Sequence, residues 1–448
     1  MSIEKTVLGN GITVITEQME SVRSVALGLW FKTGSRDELV CEAGMSHFVE
    51  HMMFKGTPTH DARSLSEAFD RLGAQQNAFT SRESTCYFAT FIDESLPQVF
   101  ALFADMVCNA SFDEDACALE REVVIEEIAR SEDDPEEQVF DLFYQRLWPW
   151  HTLGQPIGGT RQSVSSFDRA AALRFRAKHY TADNCVVAAA GNLQHAELVE
   201  LALKHLEGLP QTAVVGAGQT SAAVPPVRVA PQVLQAAAMA VQNKDTEQAH
   251  LMIGTTTFPS NDARRYTLSL LNTAFGGTMS SRLFQEIREK QGLVYAVYSR
   301  PHLYQGRSAF TIYAGTRPDN ANKVTELIAV ELDKIARDGI SADELDLARQ
   351  ATKGSLALSL ESTSKRMIRL GDAVLNGLDP LTFDESLERL DRVGVEDGAR
   401  LAAELMASPM LTAAVGPFRE DGQEGEQNDE SAAQKDEGSS EKRELRLA

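Results

Sequence analysis

Midway along its 448 residues the chain passes through Pro210, Gly216, Gly218, Pro225-Pro226 and Pro231, set among Ala, Thr, Ser and Val. Such a stretch interrupts helices and strands alike, so it reads as a linker between two halves of about equal size. The halves also share an order of elements. Ser341-Ala-Asp-Glu-Leu-Asp-Leu-Ala-Arg repeats Phe112-Asp-Glu-Asp-Ala-Cys-Ala-Leu-Glu-Arg121 as an acidic helix start feeding a long helix, and Ser308 to Tyr313 repeats the strand-like Thr85 to Phe91. Tandem duplication of one domain is the economical reading. It gives a first domain over 1–215, a linker over 216–232 and a second domain over 233–418. What remains, 419–448, holds ten acids, five bases and no aromatic residue, a composition expected to stay disordered.

Inside the first half the signals alternate. Thr6 to Leu8, a Gly9-Asn10-Gly11 turn, Ile12 to Thr16 and Val25 to Lys32 read as strands. Leu65, Ala68, Phe69 and Leu72 then recur on one helical face and stop at Gly73. Strands follow at Gln76 to Thr80 and Thr85 to Phe91, and helices at Leu96 to Cys108 and Glu114 to Ser131. This order lacks the regular period of a doubly wound sheet, which makes the class α+β.

Composition removes several functions. A net charge of -22 disfavours nucleic acid, whose phosphates require a basic patch. Five cysteines, with no C-x-x-C pair, argue against a disulfide framework and a cysteine zinc site. Neither a signal-like apolar segment at the start nor an apolar run of the roughly 18 residues of a membrane span occurs, so a cytoplasmic protein without a membrane partner is expected.

The sharpest local pattern is His47-Phe-Val-Glu50-His51. On a helix His47 and His51 lie one turn apart on one face, so both imidazoles reach a single metal ion. Glu50 lies beside them, and a carboxylate next to the ligands rather than among them can take a proton from an activated water. Two histidines do not complete a catalytic zinc site; a third protein ligand is usual. In Glu120-Arg-Glu-Val-Val-Ile-Glu-Glu127 seven residues advance about 700°, which puts Glu120 and Glu127 on one face, together with Val123 and Val124. Carboxylates on an apolar stripe are costly unless a cation meets them, and either glutamate would serve.

These residues together resemble the pitrilysin-type inverzincin metallopeptidases, in particular the β subunit of mitochondrial processing peptidase and its bacterial homologues. The resemblance extends to about residue 418. It implies one Zn2+ per chain held by His47, His51 and Glu127, with Glu50 as general base and Glu120 orienting a ligand or water. Gly73-Ala-Gln-Gln-Asn77-Ala78-Phe79-Thr80 resembles the family's substrate-binding edge strand, whose free N–H and C=O groups an extended peptide completes. Arg288 and Tyr295, in Ser280-Ser-Arg-Leu-Phe-Gln-Glu-Ile-Arg288-Glu-Lys-Gln-Gly292-Leu-Val-Tyr295, resemble a pair that enters the site from a second domain to hold substrate and support an oxyanion.

The second half lacks an H-x-x-E-H of its own, so one half carries the metal and the other the Arg and Tyr. The resemblance implies two homologous α+β domains, each a mostly antiparallel sheet covered by helices, forming half of a clamshell chamber. A homodimer would close it, each zinc domain facing Arg288 and Tyr295 of the other subunit. The implied activity is a zinc endopeptidase that cuts extended or unfolded peptides. The resemblance also implies a preference for basic substrates, since Glu136, Glu137 and Asp141 occupy a region comparable to the acids by which processing peptidases favour arginine near the cut. The alternative is a catalytically silent subunit or scaffold of the same fold.

Overall fold

A computed structural model of the chain describes residues 2–211, 228 and 230–418; most of the expected linker and all of the acidic tail lie outside the described residues. The first half forms strands β1 (Ile3–Val7), β2 (Thr13–Gln18), β3 (Ser24–Phe31), β4 (Gln75–Thr80), β5 (Thr85–Ile92) and β6 (Cys185–Gly191). Its helices are α1 (Met45–Met53), α2 (Ala62–Arg71), α3 (Leu96–Asn109), α4 (Glu114–Asp133), α5 (Pro135–Leu147), α6 (Arg161–Ser165), α7 (Arg169–His179) and α8 (His195–His205). The second half contributes β7 (Ala238–Asn243), β8 (Ala249–Thr257), β9 (Val294–His302), β10 (Ser308–Thr316) and β11 (Leu411–Gly416). Around these lie α9 (Arg265–Asn272), α10 (Ala321–Asp338), α11 (Ala342–Ser359), α12 (Thr363–Leu375), α13 (Phe383–Asp391) and α14 (Val395–Ala407).

The strands pair as two sheets, β1-β2-β6-β3-β5-β4 and β7-β11-β8-β10-β9. Only β2–β6 and β7–β11 are parallel. The class is therefore α+β in two tandem domains with mostly antiparallel sheets. β4 is the outer strand of the first sheet, and its second ladder of N–H and C=O groups is left without a neighbouring strand. No helix among the described residues is long and apolar enough to cross a membrane.

Strand β3, Ser-Val-Ala-Leu-Gly-Leu-Trp-Phe, is apolar at nearly every position, as expected of a strand buried on both faces. Val25, Leu27, Leu29 and Phe31 face a core built with α1, α3, α7 and α8. Ala26 and Trp30 face the other way, with Val186, Ala188 and Ala190 of β6, and there they meet Met367, Leu370 and Leu375 of α12. The second sheet is built likewise: Met252, Ala309, Tyr313, Ala413 and Val415 are covered by Val139, Phe143, Tyr144 and Leu147 of α5. Each half thus lends one helix to the sheet of the other. Fully burying a side chain such as Leu370 or Phe143 stabilises by roughly 1.5–3 kcal/mol, so each exchange adds a substantial share of the fold's cohesion.

Small residues make the exchange geometrically feasible. A Cβ on Gly371 of α12 would stand 2.4 Å from Cε2 of Trp30, and one on Gly28 of β3 would stand 2.6 Å from Sδ of Met367. The counterpart is Gly254 of β8, where a Cβ would meet Phe143 of α5 at 2.9 Å. A buried charge set then fixes α12: Glu17 of β2 pairs with both Arg366 and Arg369, the latter at 2.9 Å.

Candidate metal centre and active site

Helix α1 presents the chemistry by burying everything else. Met45, Phe48, Val49, Met52 and Met53 point into the first core, which leaves His47 and Glu50 toward a cavity and His51 beside them, its Nε2 3.6 Å from Oε2 of Glu127. The start of α1 needs a tight approach. Gly44 has φ 92°, and a Cβ there would lie 2.5 Å from the carbonyl oxygen of Gly158. Lacking a side-chain cap of its own, the helix start is held by Glu38, whose carboxylate accepts from the backbone N–H groups of Gly44 at 2.8 Å and Ser46 at 2.7 Å. Burial nevertheless pushes the Glu38 carboxyl up to about 7 against the pull of those N–H groups.

Helix α4 crosses α1 with Cys117, Glu120, Val124 and Ile128 buried and brings Glu127 over the histidines. Nε2 of His47 and Nε2 of His51 are 3.2 Å apart. Oε2 of Glu127 is 3.8 Å from the first and 3.6 Å from the second. For a tetrahedral zinc with bonds of about 2.1 Å, adjacent ligand atoms stand about 3.4 Å apart, so the three separations suit one such ion. Among the described residues this trio is the group of three His, Cys, Asp or Glu side chains that converges on one point.

The surroundings orient the ligands. Nδ1 of His51 contacts Oε1 of Glu120 at 2.7 Å, and Oε2 of Glu120 pairs with Nζ of Lys55 at 2.5 Å. This leaves Nε2 of His51 toward the metal position and fixes the ring. Burial opposes protonation of His51, but the Glu120, Glu127 and Glu50 carboxylates outweigh it and raise its pKa. Burial, aided by the neighbouring His51, holds His47 down to about 4, so it is neutral and available as a ligand at neutral pH. Glu120→Gln is expected to lower zinc affinity about 10- to 100-fold, read by competition with a chelating dye; unchanged affinity would remove Glu120 from the site.

Glu50 is only 9% exposed and accepts a hydrogen bond from Oγ1 of Thr80 at 2.5 Å. Burial raises its pKa, while the Thr80 hydroxyl and His51 pull it back. Thr80, grouped in the sequence with the peptide-binding strand, thus also anchors the carboxylate next to the metal ligands. Ala78, Phe79 and Thr80 line the cavity; Phe79 packs its ring edge-on against Trp30 at 5.3 Å. Asn77 is exposed, and its Oδ1 accepts from the Ala78 N–H at 2.8 Å.

Arg288 and Tyr295 meet each other but not the metal cluster of their own chain. The Arg288 guanidinium lies 5.4 Å from the Tyr295 ring centre and 4.8 Å from that of Phe284. Tyr295 is 78% exposed, and neither residue lines the cavity around His47 and Glu127. Of the acids assigned to basic substrates, Glu136 is already engaged by Tyr298 Oη at 3.1 Å and Tyr313 Oη at 3.3 Å. Asp141 is pushed up to about 6 by burial, with Arg82 pulling it down.

Three supports were not read from the sequence: Glu38, Lys55 and the role of Thr80. Glu38 acts across a loop and Thr80 acts from strand β4 on helix α1, so no helical or strand spacing signals either. Lys55, four residues beyond His51, was within reach of an i, i+4 argument had α1 been extended by one turn.

Comparison with known proteins identifies the family. Residues 13–161 match the family described as insulinase (peptidase family M16), and residues 166–352 match the peptidase M16 inactive domain. The uncharacterized zinc protease YmxG of Bacillus subtilis is 38% identical over 93% of this chain and 98% of its own length. An uncharacterized zinc protease of Mycobacterium leprae is 38% identical over 92% of each chain. Among solved structures, a protease from Helicobacter pylori superposes with TM-score 0.86 at 24% identity, over 93% of this chain and 99% of that one. The M16 inactive domain from Pseudomonas fluorescens gives TM-score 0.84 at 21% identity, over 94% and 99%. Matched in both halves and along almost its whole length by zinc proteases, the chain belongs to peptidase family M16.

Proposed function

We propose that the chain is a zinc endopeptidase of the H-x-x-E-H type that hydrolyses extended or unfolded peptides, as processing peptidases do. The observation that carries this reading is the placement of Glu50, anchored by Thr80, beside the His47, His51 and Glu127 trio in a cavity bordered by the free edge of β4. Zinc, when bound, supplies a Lewis acid that acidifies water and polarises a peptide carbonyl. Glu50 takes the proton of the attacking water and passes it to the leaving amine. The outer ladder of β4 binds the peptide backbone with little regard to side chains, which suits unfolded substrates and excludes folded ones.

Incubation with unfolded casein, with cuts mapped by mass spectrometry, tests this directly. Cleavage is expected at several positions, to stop with a chelator and to return with one equivalent of zinc per chain. Stoichiometric zinc without any cleavage would favour a silent scaffold.

The exposed Arg288 and Tyr295 pair completes the site of a second copy in a homodimer. Gel filtration is expected to give a dimer. Mixing inactive Glu50→Gln chains with inactive Arg288→Ala chains is expected to restore activity, because one site in the mixed dimer then has both an intact Glu50 and an intact Arg288. A fully active monomer would overturn the dimer.

A further inference from the structure

The cavity holding the metal cluster has a volume of about 1030 Å³ and is walled by both halves of the chain. Its charge is mostly acidic, with Glu132, Asp134, Glu136, Glu137 and Asp141 along α4 and α5. Strand β9, which adjoins α5, adds a further wall with Tyr298, Arg300 and His302. These are alternate residues of an edge strand and so share one face.

The groups on that wall are matched unequally. Tyr298 donates to Glu136. Arg82, the other arginine lining the cavity, lies 4.2 Å over the ring of Tyr144, donates to the carbonyl of Leu153 at 2.9 Å and has Asp141 as its opposite charge. Arg300 is exposed to the cavity and, among the described residues, its guanidinium has neither a hydrogen-bond acceptor nor a carboxylate in ion-pairing range. Two residues further on, Nε2 of His302 is buried without a hydrogen-bond partner, its ring set against Phe140 and Tyr144. Burial, together with the positive charges of Arg300 and Arg82, holds His302 down to about 3, so the imidazole is neutral and can still offer an N–H.

We propose that Arg300 and His302 form a carboxylate-binding subsite of the peptide cavity, for the C-terminal carboxylate of a peptide or for an Asp or Glu side chain. The proposal rests on the peptidase reading and adds a selectivity to it. A guanidinium matches a carboxylate with two parallel N–H donors, and an amide in the same place leaves that charge without a partner. With acids on α4 and α5 and an unmatched cation on β9, the cavity orients a bound peptide by charge as well as by strand pairing.

Binding can be separated from turnover by using the zinc-loaded Glu50→Gln chain and fluorescence anisotropy. One extended peptide, fluorescein-labelled at its N-terminus, is made with a free C-terminal carboxylate, with a C-terminal amide, and as an amide ending in Asp. The free acid is expected to bind about tenfold more tightly than the amide, the value of one charge-assisted hydrogen bond. Adding Arg300→Gln should abolish that difference, and adding Arg300→Glu should turn the preference toward a Lys-ended amide. Tight binding of the Asp-ended amide identifies the side-chain source; tight binding of the free acid alone identifies the terminus. Equal affinity of all three forms, or no binding of any, overturns the subsite. The peptidase reading is judged separately, by whether the unsubstituted chain cuts the free-acid peptide.

Discussion

Replacing Glu50 with Gln is expected to reduce peptide hydrolysis by about a hundred- to ten-thousandfold, the range for loss of a general base, with zinc content unchanged. The substitution isolates the proton transfer. Glu50 is not one of the three converging ligand atoms, and a Gln at this position keeps the shape and an oxygen that can accept from Thr80 Oγ1. What it lacks is a basic site. Burial lifts the Glu50 carboxyl, so the unsubstituted protein should lose activity on acidification at a higher pH than an exposed glutamate would dictate. The protonated acid is the inactive form, so the loss occurs as pH falls. Metal content by atomic absorption and rates on a fluorogenic peptide decide the matter; a Glu50→Gln chain that cleaves at the parental rate shows that Glu50 is not the base.

The second large effect is structural. Gly371→Val is expected to destabilise the fold by about 3 kcal/mol, seen as a lower midpoint of chemical unfolding. Two terms oppose each other. Taking Gly out of a helix interior gains up to about 1 kcal/mol in backbone entropy, less for a β-branched residue. Against that, the first added carbon already falls 2.4 Å from the ring of Trp30, which is fully buried and has nowhere to turn. The clash therefore wins. Gly377→Ala serves as a control for glycine loss alone: a Cβ there meets no atom within 4 Å, although its φ of 68° makes the change mildly unfavourable. Equal stability of Gly371→Val and the parent would mean that α12 does not lie against β3 as described.

Much of the candidate site was legible because its geometry follows helical spacing. His47, Glu50 and His51 needed only the period of α1, and Glu120 with Glu127 only that of α4. Spacing does not tell Glu120 from Glu127, because both share one face. The structure sets them at different depths: Glu120 is buried against His51 and Lys55, and Glu127 is half exposed over the two Nε2 atoms. Strand boundaries around Gly9-Asn10-Gly11 and the helix stop at Gly73, with φ 63°, were also local matters. Packing partners were not. The apolar run of β3 indicates two buried faces, but nothing in it states that the second is covered by residues more than three hundred positions away. Likewise α5 reads as part of the first domain by position and belongs by packing to the second sheet.

That exchange has a consequence for how substrate can enter. With α5 laid on one sheet and α12 on the other, the two halves hold each other at both sheets; separating them would strip both sheets of a cover and break the Glu17 pairs with Arg366 and Arg369. Cutting the backbone between residues 211 and 228 should accordingly leave the two fragments associated, eluting together under native conditions. A single chain then behaves as one jaw, and whatever opening admits a peptide to its cavity does not come from parting the two halves.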